Sequence, residues 1–339
     1  MAARRPFTQA YREANPMLSG PSDTYPRLVG DIGGTNARFA LLTAPGRAFE
    51  AVQTLPCADF PGPAEAIEHY LAINRLPRPR WCAFGIANPV EGDAVRMTNH
   101  HWAFSIRALQ AGLGLDRLLV LNDFTALALA LPALAPADIV QVGGGNPAPR
   151  AAIGLLGAGT GLGISGLVPC GDDYAPIEGE GGHVTLPACN AHEAALVAWL
   201  ATRFPHVSAE RVLSGPGLVA LYEAHAAVAG EPADALTAAE VSARGLAGDC
   251  PLCVATLETF CAMLGTVAAD LALILGARGG VYIGGGIVPR LGDFFARSPF
   301  RARFEQKGRF SDYLARIPTY VIHAPYPALL GAARALERG

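Results

Sequence analysis

Two stretches of this chain share one grammar, and that repetition limits its possible folds more than any other feature. "VGDIGGTNARFALL" (29–42) and "IGLLGAGTGLGISGLV" (153–168) are each an apolar strand, a turn rich in Gly and Thr, and a second apolar strand. A chain that opens two hairpins in this way reads as two similar halves. The first turn also carries Asp31 beside the Gly33-Gly34 pair. A carboxylate at the end of a buried strand is costly, and glycine weakens a strand interior. Gly-rich turns, however, expose successive backbone N–H groups, which can cradle an anion such as phosphate.

Elsewhere the pattern predicts strands over 81–87, 118–121, 139–142, 151–156, 280–283 and 319–323. Helices are expected over 64–76, 124–131, 191–201, 217–229, 238–247, 254–276 and 328–337. Strands mixed with helices, some of the strands in hairpins, argue for an α/β class. With 339 residues, 51% of them hydrophobic, the chain is long enough for roughly two domains of about 150 residues.

A formal net charge of −3 leaves no basic surface for nucleic acid or an anionic membrane. The most apolar windows, 259–277 and 124–142, are interrupted by Asp270 and by Pro132, Pro136 and Asp138, so both read as buried elements rather than membrane spans. The N-terminus lacks an apolar core of a secretory signal, and a soluble cytoplasmic protein is expected. Seven scattered cysteines suggest free thiols. Cys250-Pro-Leu-Cys253 spells C-x-x-C, but a zinc site needs a second pair and only Cys261 is near, so a structural pair is expected there.

Most phosphate-binding devices are excluded. Lys307 is the only lysine and no Gly-rich loop precedes it, which removes both the P-loop and the protein-kinase arrangement. "GLGISG" (161–166) matches G-x-G-x-x-G, yet Leu167-Val168-Pro169 continues a strand instead of opening a helix. What remains, a pair of hairpin turns from two halves facing each other across a cleft, resembles the actin-like ATPase superfamily. That resemblance implies that Asp31 holds a hydrated Mg²⁺ and that Gly33, Gly34 and Thr35 approach the phosphates. It further implies that Gly159, Thr160 and Gly161 cradle them from the other half, while Gly284, Gly285 and Gly286 admit the adenosine.

Several polar residues suit a polyol substrate. "LVLNDFTALALALP" (119–132) sets Asn122-Asp123 between a buried strand and a helix, where Asp123 could serve as a base or simply N-cap the helix. "EGEGGHVTLP" (178–187) adds Glu180 and His183, and "SAERVLSGPG" (208–217) adds Glu210. Taken singly, each has a plain alternative: a solvated loop charge, a satisfied histidine, the face of a short helix.

Together "GDIGGTNARFAL", "TNHHWAFS", "LNDFTALALALP", "GAGTGLG", "GEGGHV", "SAERVLSGPG", "GGVYIGGGIVPR" and "FEQKGRF" resemble the bacterial glucokinase family of the hexokinase group, from about residue 27 to the end of the chain. The resemblance implies a two-domain actin-like ATPase (ribonuclease H-like) fold with a nucleotide and sugar cleft between domains. Residues 27–133 with 324–339 would form the small domain and 134–323 the large one, after an N-terminal extension of 1–26 outside the pattern. It implies Asp123 as the base and Asn122, Glu180, His183 and Glu210 as glucose ligands. ATP would be bound by Gly30, Asp31, Ile32, Gly33, Gly34 and Thr35. A homodimer that phosphorylates glucose at its 6-hydroxyl is the implied enzyme, with domain closure excluding water. Kinases of other hexoses such as mannose or glucosamine, or a sugar sensor without turnover, share this fold. The sister group of ROK sugar kinases and repressors shares an E-x-G-H element but typically adds a Cys-rich zinc loop. Near His183 there are only Cys170 and Cys189.

Overall fold

The computed structural model describes residues 24–98 and 100–338, so residues 1–23 of the expected N-terminal extension lie outside the described residues. The described residues up to Pro136, together with those from Ala324 onward, form one compact unit, and Ala137–His323 forms a second.

The first unit is built on a five-stranded sheet of order β3-β2-β1-β4-β7. Its strands are β1 (Arg27–Ile32), β2 (Asn36–Leu42), β3 (Glu50–Pro56), β4 (Trp81–Ile86) and β7 (Arg117–Asn122). β5 (Ala94–Arg96) and β6 (Ala103–Ser105) pair separately as a ribbon. β1 is central, antiparallel to its hairpin partner β2 and parallel to β4, which is parallel to β7. Strand alternation sends Leu28 and Ile32 to one face and Val29 to the other. The first face packs with Phe39, Phe84 and Trp102 against helices α1 (Pro63–Ile73) and α2 (Ile106–Leu113). The second packs Val29, Ala40 and Ala83 against α3 (Asp123–Ala130) and the C-terminal helix Pro327–Ala335. Because both faces are covered, the strands read as nearly continuous apolar runs.

The second unit repeats the scheme with six strands in the order β11-β10-β9-β12-β13-β8. These are β8 (Ile139–Val142), β9 (Ile153–Ala158), β10 (Leu162–Cys170), β11 (Asp173–Ile177), β12 (Val281–Gly284) and β13 (Thr319–Ile322). β9 again has its hairpin partner β10 antiparallel on one side and β12 parallel on the other. The two halves read in the sequence are therefore two copies of one sheet plan.

Helix α7 (Pro251–Leu275) packs on β9, helices α5 (Gly215–Ala229) and α6 (Ala238–Ala247) pack on α7 and on each other, and α4 (Ala191–Ala201) packs on α5. Among the described residues α7 is the one helix long and apolar enough to cross a membrane, but its most apolar stretch is 72% buried inside the unit. Leu257, Phe260, Leu264 and Ala268 of α7 lie in the core with Leu156 and Leu221. Of its two carboxylates, Glu258 and Asp270, the second pairs with Lys307. α7 begins three residues earlier than the pattern predicts. Cys250 is its N-cap, its sulfur accepting from the Cys253 N–H at 3.4 Å, and Pro251 occupies the first turn, where its missing N–H costs nothing. Both cysteines of the C-x-x-C are buried, and all seven thiols are free.

Candidate active site

In the first unit, parallel pairing aligns Ile32, Ile86 and Asn122 across β1, β4 and β7. The candidate residues after these positions consequently share the carboxyl edge of one sheet, where open α/β sheets bind ligands. β1 and β7 are two strand spacings apart, about 10 Å.

At the β1 end the turn is closed by the Gly33 N–H donating to the Asn36 carbonyl at 2.9 Å. Cys57 N–H donates to the Thr35 carbonyl at 2.8 Å, and Thr35 itself is exposed. Gly30 does not belong to this turn. It lies buried in β1, where a β-carbon would sit 2.9 Å from that of Phe84. Ile32 is fully buried, so only its backbone can serve a ligand. Asp31 is half-buried on the opposite face of β1 to Ile32. Burial pushes its carboxyl above the ordinary value, opposed by the Arg38 guanidinium, whose Nη1 is 3.4 Å from Oδ2. Arg38 faces Asp31 across the hairpin and its guanidinium stacks 4.6 Å from the Tyr326 ring centroid. The sequence reading missed Arg38, although counting outward from the turn gives this pairing.

At the β7 end the capping question has a definite answer. Asn122 is the N-cap of α3, its Oδ1 accepting from the N–H groups of Phe124 (2.9 Å) and Thr125 (3.1 Å). Asp123 is the first helical residue, and its Oδ1 accepts from the Phe124 N–H at 2.9 Å. Its carboxylate sits at the N-terminal end of α3. Both side chains therefore accept from the Phe124 N–H at the start of α3, Asn122 from the N-cap position and Asp123 from the first helical one. Asn122 is correspondingly committed: its Nδ2 reaches the Asn88 carbonyl at 3.5 Å, so the amide N–H group is what it can offer a ligand.

In the second unit β9 and β12 align Gly157 with Gly284, which puts both following Gly turns at one edge. The Gly159 N–H donates to the Gly161 carbonyl at 2.8 Å and closes that turn. Gly285 has φ +77 and lies so close to the Ala158 carbonyl, 2.3 Å from a notional β-carbon, that no other residue fits without a shift. Glu210 reaches the same place. Its Oε2 accepts from the Leu162 N–H at 2.9 Å, and its own N–H donates to the Gly182 carbonyl at 2.9 Å. Gly182 belongs to the short turn Gly181–His183 that follows Glu180, and both Glu180 and His183 are exposed. Thr160, Gly285 and Gly286 are exposed as well. Glu180, His183, Glu210 and both Gly turns are thus linked within one unit, a juxtaposition that spacing alone did not reveal.

The family model for glucokinase matches residues 28–339 of this chain. The glucokinase of Aromatoleum aromaticum is 64% identical over 322 residues, covering 95% of this chain and 97% of that protein. The glucokinase of Chromobacterium violaceum is 54% identical over 317 residues, 94% of this chain and 91% of its own. The chain belongs to the glucokinase family. The crystal structure of a glucokinase from an Antarctic psychrotroph superposes with a TM-score of 0.85 at 40% identity, covering 93% of this chain and 99% of that one. The actin-like ATPase fold expected from the two hairpins is accordingly the fold of this glucokinase-family chain.

Proposed function

We propose that this chain is an ATP-dependent glucokinase that moves the γ-phosphoryl of ATP to the 6-hydroxyl of glucose, giving glucose 6-phosphate and ADP. Family membership supports the reaction, and one observation carries the assignment of the base. Asp123 stands at the carboxyl edge of the first sheet, as the first residue of α3 after the Asn122 N-cap. In this reading Asp123 accepts the proton of the attacking hydroxyl as the phosphoryl group leaves ATP. Asn122, Glu180, His183 and Glu210, with Asp123 itself, orient the sugar through hydrogen bonds to its hydroxyls.

The turn at Gly33, Gly34 and Thr35 and the turn at Gly159, Thr160 and Gly161 present backbone N–H groups to the phosphates of ATP. Gly284, Gly285 and Gly286 leave room for the adenosine. Asp31 suits a magnesium ion held through water: it is a carboxylate near the end of the central strand β1, disfavoured as an anion by burial and opposed in this by Arg38 at 3.4 Å. When bound, the ion neutralises phosphate charge. Within this reading the enzyme works in the cytoplasm, as a homodimer.

The test is a coupled assay of the purified chain with Mg·ATP and a panel of hexoses, run beside Asp123→Ala. Glucose-dependent ADP release that falls by roughly 10²- to 10⁴-fold in the variant, with glucose affinity nearly kept, is the expected result. Strong preference for mannose or glucosamine would reassign the substrate. Glucose binding without turnover of any hexose would make the chain a sugar sensor.

A further inference from the structure

The segment 208–217 touches the Gly159–Gly161 turn at two points. The Glu210 carboxylate accepts from the Leu162 N–H at 2.9 Å, and the Gly215 N–H donates to the Gly159 carbonyl at 2.8 Å. It touches the Glu180–His183 turn at a third, through the Glu210 N–H and the Gly182 carbonyl. The segment itself is stiff. Val212 and Leu213 are fully buried, the Leu213 N–H donates to the Ala209 carbonyl at 2.8 Å, and Ser214 caps α5 by accepting from the Gly217 N–H at 3.1 Å. Closeness at Gly161 is extreme: a β-carbon there would lie 2.4 Å from Glu210 Oε2.

We propose that Glu210 is a positioning residue that couples hexose binding to the nucleotide-phosphate turn within the second unit. This rests on the reading above, in which Glu210 is a hexose ligand and Gly159–Gly161 a phosphate turn. An ionised carboxylate offers about four lone-pair sites on two oxygens, so one oxygen can hold the Leu162 N–H while the other accepts from a sugar hydroxyl. A hexose that fixes the carboxylate fixes the end of the turn with it, and the nucleotide then binds a turn already ordered. By linkage, nucleotide must tighten hexose binding by the same factor. The coupling needs no step of catalysis and is read as the change in affinity for one ligand when the other is bound.

The experiment is calorimetric titration of the full chain with glucose, without and with saturating Mg·AMPPNP, and with Mg·AMPPNP, without and with saturating glucose. In the wild type each ligand is expected to tighten binding of the other about fivefold. Gly161→Ala drives a methyl group against Glu210 Oε2, whereas Gly159→Ala, in the same turn, meets no heavy atom within 4 Å. Gly161→Ala is expected to weaken glucose binding about tenfold with no nucleotide present, and Gly159→Ala to change it less than about twofold. Glu210→Asp, one methylene too short to hold the Leu162 N–H, is expected to weaken AMPPNP binding about fivefold with no sugar present. It carries the test alone if Gly161→Ala does not fold. A wild-type glucose affinity that AMPPNP leaves unchanged, equal glucose affinities for the two Gly variants, or wild-type AMPPNP affinity in Glu210→Asp, would overturn the coupling. The underlying reading fails differently: Glu180→Ala and Glu210→Ala would then both bind glucose as the wild type does.

Discussion

The α-carbon of Asp123 passes so near Gly85 of β4 that a β-carbon on Gly85 would lie 3.2 Å from it, and 3.1 Å from the β-carbon of Ala126. The missing side chain of one strand residue thereby sets where the first turn of α3 rests on the sheet. Gly85→Ala should push that turn outward by a few tenths of an ångström. If Asp123 is the base, turnover at saturating substrates should fall about tenfold, since misplacement of 1 Å costs about 100-fold. Glucose affinity should change little. Steady-state kinetics together with a melting curve would check this, and unchanged turnover in a folded variant would argue against Asp123 as the base.

Much of this arrangement was legible in the residues themselves. The two hairpins announce themselves because Gly, Thr and Asp interrupt runs of buried apolar residues, and both sheets grow around them. β3 and β11 were missed because each is an edge strand with few fully buried positions, so neither shows a strong apolar pattern. Asn122 and Asp123 are both good caps and adjacent. Only the extended backbone at Asn122, with φ −61 and ψ 146, decides which of them caps. The reach of Glu210 to Leu162 spans 48 positions along the chain and has no local signature at all.

A buried ion pair anchors the start of α4. Glu193 accepts from Arg303 Nη2 at 2.7 Å, from Asn190 Nδ2 at 2.9 Å and from the Cys189 N–H at 2.8 Å, and it is only 3% exposed. Glu193→Ala leaves a buried guanidinium without its anion and should destabilise the second unit by about 3–5 kcal/mol. Glu193→Gln keeps the acceptor and should cost less. Denaturant unfolding of the three proteins side by side would show the ranking, and equal losses for both variants would contradict it.

Glu337 gives the first unit a stability that falls as pH rises. Its Oε1 is buried, with Arg27 Nη1 at 3.8 Å. Burial pushes the carboxyl from 4.5 up to about 7 against the pull of Arg27 and Arg334. A raised carboxyl means that the folded state holds the proton more tightly than the unfolded chain, so stability declines between about 4.5 and 7. Solvent reaches part of the carboxyl and screens it, so the decline is smaller than the roughly 3 kcal/mol that the full shift would give. Glu337→Gln should remove it and raise the melting temperature at pH 8 more than at pH 5. A variant melting lower than the wild type at pH 8 would show that the charged form is the stabilising one.

His225 acts in the opposite direction, and in the other unit. Its ring is buried between α4 and α7, with Nδ1 3.4 Å from His192 Nε2 and Nε2 3.1 Å from Thr259 Oγ1. Burial, and then the neighbouring His192, lower its pKa from 6.5 to about 4. The unfolded chain therefore takes up a proton that the folded state refuses. Stability from this group is complete above about 6.5 and is lost as pH falls toward 4. The loss amounts to at most about 3 kcal/mol. Since the two titrations belong to different units, they do not cancel where the units unfold separately; acid then loosens the second unit while it tightens the first. Hydrogen exchange followed by mass spectrometry at pH 5 and pH 7 reads each unit by its own peptides, once intrinsic exchange rates are corrected for pH. Protection of α5 and α7 should drop at pH 5 in the wild type and drop less in His225→Gln. That of β1 and the C-terminal helix should rise at pH 5 and stay level in Glu337→Gln. Parallel changes in both units would mean that a single cooperative transition, and not these two side chains, governs the response.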